Sequence, residues 1–190
     1  MTVNEPVSLN PAGRPALNRP SWPLIAGALA LVIAGAATGL GTLVDAPRPV
    51  PVTSPDDTAW PAHIALGAVL LAFLVLRVRF RGWRALLTPM SARAGRRLRA
   101  GLTERSPRAV ASLALAALLA YLAFRMGMQL TAGLDPAFTA NAWGGPTYLG
   151  ALLCHAIDAA LISLIAVTAL HLLLPAPAHP RRFECNALQP

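Results

Sequence analysis

"HIALGAVLLAFLVLR", residues 63–77, is the stretch whose reading decides the fold. Only uncharged, mostly apolar residues separate a histidine from an arginine, and the apolar character extends over Trp60–Val78. A run of this length matches the roughly 20 residues that a helix needs to cross about 30 Å of hydrocarbon. Three further stretches read the same way, at about Pro23–Val44, Ala109–Gln129 and Thr147–Leu174. Backbone polar groups cannot go unpaired in lipid, so each is expected to be a helix.

The composition agrees. Of 190 residues, 55% are hydrophobic and 13% charged, whereas soluble domains carry about 25% charge. One domain, or two small ones, is the most such a chain holds. No 20- to 50-residue repeat is visible. The first 22 residues are polar and proline-rich and lack the pattern of a signal peptide, so the first apolar segment is expected to be a retained span.

All 16 basic residues are arginine, and the net charge is +8. That excess invites a nucleic-acid reading, but its placement argues for membrane topology. Arg79, Arg81, Arg84, Arg93, Arg96, Arg97, Arg99, Arg105 and Arg108 lie between the second and third runs. Arg14 and Arg19 precede the first run, and Arg181 and Arg182 follow the fourth. The other two connections hold Arg48 against Asp45, Asp56, Asp57 and Asp135. Short arginine-rich loops stay cytoplasmic. The expectation is an all-α membrane protein, a four-helix transmembrane bundle with both termini cytoplasmic. It has tails at 1–22 and 175–190 and a basic cytoplasmic loop at 79–108. Such a loop can attract anionic lipid; its simpler reading is a solvated topology determinant. Trp22, Trp60, Trp83 and Trp143 fall near span ends, where amphipathic rings prefer to sit.

This topology puts His63 at the outer start of the second helix and His155 about two turns into the fourth, from the same face. Two imidazoles at similar depth on different helices are what a bis-histidine haem requires. The alternative is a pair of interfacial histidines hydrogen-bonded to backbone or water. Ionisable residues at membrane depth are costly unless used.

"HIALG" followed by Arg77 in "LRVRF" resembles the second helix of bacterial cytochrome b561 and the related cytochrome b subunits of hydrogenases and formate dehydrogenases. The resemblance implies that His63 ligates haem, with Gly67 one turn below leaving room for a porphyrin and Arg77 snorkelling to the inner interface. Family members also carry an inner haem. Its first-helix ligand aligns here with Ser21, in "SW", and its fourth-helix ligand, about 14 residues after His155, aligns with Ala169. His171 lies 16 residues on, about 160° around an ideal helix from His155. The resemblance therefore implies one haem b near the outer face, its iron held axially by His63 and His155. Arg125 is a candidate partner for its propionates, or else snorkels to lipid phosphate. Asp158, one turn after His155, could pair with Arg125, orient the ring or accept a quinol proton. His179 is expected in solvent.

Cys154 and Cys185 have no metal-type spacing and are not expected to pair. No hydrolytic or nucleotide-binding motif is present. The expected role is an electron-transfer subunit rather than a stand-alone enzyme. It would sit in a bacterial inner membrane and pass electrons between quinone and a periplasmic redox partner or catalytic subunit. The alternative is a haem-free accessory subunit of a larger respiratory or photosynthetic membrane complex.

Overall fold

The computed structural model describes residues 20–44, 59–103 and 106–174. Four long helices dominate it: α1 (Trp22–Val44), α2 (Ala59–Arg81), α4 (Pro107–Ala132) and α6 (Tyr148–Leu173). All four are long and apolar enough to cross a membrane. Their bounds lie within about three residues of those read from the sequence. The protein is an all-α, four-helix transmembrane bundle.

Local chemistry sets the helix ends. Ser106 caps α4 by accepting from the Ala109 N–H at 3.3 Å, and Pro107 follows at a position where no N–H is needed. Thr147 caps α6 through the Gly150 N–H at 3.2 Å. At the end of α2, Gly82 adopts φ +73° and ψ 163°, an extended positive-φ conformation open in practice only to glycine, which turns the chain out of the helix.

The stretch 79–108, expected as a solvated loop, is largely helical. A 3-10 turn, Trp83–Met90, leads into α3, Ala92–Thr103. The Ser91 hydroxyl accepts from the Ala94 N–H at 3.3 Å, starting α3. Four of the arginines of this stretch, Arg93, Arg96, Arg97 and Arg99, are thus mounted on one helix, and α3 packs against α4.

In space the spans neighbour one another in the order α1, α4, α6, α2. The α1–α4 contact is the most extensive and rests on small residues. A Cβ added at Gly35 would overlap the Phe124 carbonyl oxygen, and one at Gly127 would overlap that of Val32. Helices this close are also joined by a side-chain hydrogen bond: the Thr131 hydroxyl donates to the Ala36 carbonyl at 2.8 Å. Lipid offers no hydrophobic gain for helix association, so close backbone packing and such bonds supply it. The opposite faces, carrying Ile33, Leu40, Ile64, Leu71 and Ile165, stay exposed, as lipid contact requires.

The α4–α6 connection folds back over its end of the bundle. It contains α5, Pro136–Thr139, capped by Asp135 through the Ala137 N–H at 2.8 Å. Thr139 is buried and donates to the Pro146 carbonyl at 3.0 Å, while the Tyr148 hydroxyl donates to Leu130 O at 3.1 Å. Gly144, at φ +76°, makes the last turn before α6, where any Cβ would also meet Cys154 Sγ and the Gly150 backbone. Asparagine aside, other residues adopt this conformation only with strain, and the crowding excludes every side chain.

Candidate functional site

Beneath that connection lies a cavity of about 450 Å³, lined by Arg125, Phe138, Asn141, Trp143, His155 and Asp158, with Ala137 and Ala142. Arg125 lies seven residues before the end of α4 and His155 seven after the start of α6. At 1.5 Å per residue, both sit roughly 10 Å along their helices from this end of the bundle.

Asp158 does not pair with Arg125, the partner considered from sequence. Its carboxylate faces His63 instead, with both oxygens 3.4 Å from Nε2. The His63 ring, 5% exposed, also donates from Nδ1 to the Ala59 carbonyl at 2.8 Å. Both ring nitrogens thus face acceptors, and both contacts are hydrogen bonds only when the ring carries two protons. Trp143 stands edge-on to this ring, centroids 5.8 Å apart at 69°.

His155 makes the same backbone bond, Nδ1 donating to Ala151 O at 2.8 Å. This leaves Nε2 to carry the lone pair in the neutral ring. Arg125 is held differently. Its guanidinium lies over the Phe138 ring, 5.5 Å from the centroid, and Nη1 is buried without a hydrogen-bond partner. One turn further along α4, Gln129 is fully buried and both its amide atoms lack partners.

The haem implied by the sequence resemblance can be tested against this geometry. The donor set is chemically suitable, since both imidazoles have Nδ1 fixed by a carbonyl. The space is not. Asp158 occupies the Nε2 side of His63, and the slot expected at Gly67 is filled by Ile157, whose Cδ1 would lie 3.1 Å from an added Cβ. In this arrangement the residues do not fit a porphyrin between His63 and His155. Among the described residues no cluster of three or more His, Cys, Asp or Glu gathers around a possible metal ion.

Ser21, which aligns with an inner-haem ligand of the family, and His171 are both tied into the fold through their backbones. The Ser21 N–H donates to Met90 O at 2.7 Å, tying the start of α1 to the segment before α3. His171 is exposed, and its carbonyl accepts from Arg97 at 3.2 Å. Cys154 is buried as a free thiol; Cys185, His179 and the charged residues of 45–58 lie outside the described residues.

Sequence reasoning brought His63, His155, Asp158 and Arg125 to one end of the bundle, and the structure gathers them there. It missed Phe138, Asn141 and the contact of Trp143 with His63. The signal available was the aromatic and polar content of "DPAFTANAW", residues 135–143, between two spans. A span-end tryptophan reads as an interface anchor unless the fold-back of its loop is known.

Fold and site together define a four-span membrane protein with a charged, aromatic-walled pocket at one end. No family model matches the chain, and no curated protein or solved structure matches it either.

Proposed function

We propose that the protein is an electron-transfer subunit that holds the head group of a quinone in this pocket, where the quinone itself takes up or releases electrons against the redox centre of a partner. The observation that carries the reading is the buried, unpartnered Nη1 of Arg125 in a cavity shared with Asp158 and His155. A charged donor left unsatisfied at membrane depth is costly. A ligand oxygen placed beside it would relieve that cost. Quinones are lipid-soluble, flat, and carry an oxygen at each end of the ring. The Phe138 and Trp143 rings suit the flat body, Arg125 suits one oxygen, and His155 with Asp158 suits the other. Tryptophan fluorescence of the purified protein should be quenched saturably by a short-chain quinone, because Trp143 lines the cavity. Absence of saturable quenching would remove this function.

The arginine-rich end is cytoplasmic in this reading, since short basic segments are retained inside, and the pocket opens toward the periplasm of a bacterial inner membrane. Single cysteines at Arg96 and Trp143 should then be labelled by an impermeant reagent from opposite sides, the former only after the cytoplasmic face is opened. Reversed labelling would invert the molecule.

A second reading, one haem b between His63 and His155, is favoured by the matching Nδ1–carbonyl bonds of the two rings. It requires Asp158 and Ile157 to move away. A reduced-minus-oxidised spectrum should show a low-spin b-type band lost in both His63→Ala and His155→Ala if this reading holds. With no such band and quinone binding intact, the protein is a haem-free quinone-binding subunit of a larger complex.

A further inference from the structure

We propose that the outward face of α3 is a binding surface for anionic phospholipid head groups. The helix lies across the ends of the spans. Gly95 rests on Ser21 and Leu24 at the start of α1, where an added Cβ would come within 3.3 Å of Ser21 Oγ. Gly101 is buried against Leu174, just past the end of α6. Arg97 turns inward, and its guanidinium donates to the carbonyls of His171 and Leu174, which the end of α6 leaves without helical partners.

The remaining arginines point the other way. Arg93, Arg96 and Arg99 are all exposed and fall within about 120° of one another around an ideal helix. Ala94, Gly95, Arg97, Leu98 and Gly101 occupy the opposite side. Arg79 and Arg81, at the end of α2, are exposed as well. Among the described residues the only carboxylates are Asp135 and Asp158, both at the pocket end. Among the described residues Arg93, Arg96 and Arg99 form no ion pair. The positive face is therefore not neutralised from within the described fold, and it stands where apolar spans give way to head groups. A bare cationic surface fixed at that level fits the phosphodiesters of anionic lipid: each base near a charged membrane surface adds attraction, screened within a Debye length. A helix packed on three spans also holds its charges in place, which a solvated loop would not.

The test uses the full chain in mixed micelles, with brominated phosphatidylglycerol and brominated phosphatidylcholine as competing quenchers of tryptophan fluorescence. Phosphatidylglycerol should be preferred, with the preference falling as salt rises. R93Q/R96Q/R99Q should lower that preference on the order of tenfold or more, with helicity by circular dichroism unchanged. R93K/R96K/R99K should keep it, because the attraction is to charge. Arg97 is left intact, since it caps α6. Equal quenching by the two lipids, or a preference retained in the glutamine variant, would overturn the proposal. If the glutamine variant loses helicity, the lysine variant and the salt dependence decide: a preference that salt does not weaken is not electrostatic, and the surface then has another occupant, such as an acidic protein.

Discussion

Arg125→Gln lowers the affinity for a short-chain quinone by roughly ten- to a hundredfold, the range expected for losing a hydrogen bond from a charged donor at about 1.5–3 kcal/mol. The change removes the charge that the cavity otherwise leaves without a hydrogen-bond partner at Nη1. Glutamine keeps a donor but does not span the distance or stack on Phe138 as the guanidinium does. Arg125→Lys recovers only part of the loss, because an ammonium lacks the planar fork and the aromatic contact. Fluorescence quenching titrations of the three proteins check this. Folding is not what fails in these variants, since Arg125 makes no hydrogen bond through Nη1 that the fold needs. Unchanged affinity in Arg125→Gln would detach the quinone from this pocket.

Gly127→Leu prevents α1 from packing on α4. The Gly127 Cα lies so close to Val32 that even a methyl group would overlap its carbonyl oxygen. Backbone cannot yield as a flexible side chain does, so the helices must separate, and neighbouring contacts such as Thr131 Oγ1 to Ala36 O at 2.8 Å are lost together. Overpacking costs about 1–3 kcal/mol at sites that can relax, and this site has no side chain to move. Gly27→Leu and Gly41→Leu are the matched controls. Nothing lies within 4 Å of a Cβ at either position, and leucine is the better helix former by about 1 kcal/mol or less. Unfolding in detergent, followed by circular dichroism, should show Gly127→Leu strongly destabilised and the two controls unchanged or slightly improved. Equal behaviour of all three would mean that α1 and α4 do not meet at these glycines.

The spans were legible because long apolar runs carry their own structural rule: in lipid the backbone must bond to itself, so length and composition suffice. The caps at Ser106 and Thr147 are local as well, acting within three residues along the chain. Grouping His63, His155, Arg125 and Asp158 at one end needed only helix direction and residue counting. The fold alone decided how those groups pair. His63 meets Asp158 across 95 residues of sequence, and no periodicity specifies which of two nearby basic side chains a carboxylate faces. Helix neighbours were equally hidden, because one apolar face looks like another in composition. The choice of α4 as partner for α1 rests on a few glycines whose registers match only once the backbones touch. The arginine stretch gave charge without shape, and its helix became definite through Gly95, Arg97 and Gly101 resting on the ends of other spans. Short-range and solvent-imposed rules thus act through sequence alone, whereas pairing between distant groups depends on distances that exist only in the packed bundle.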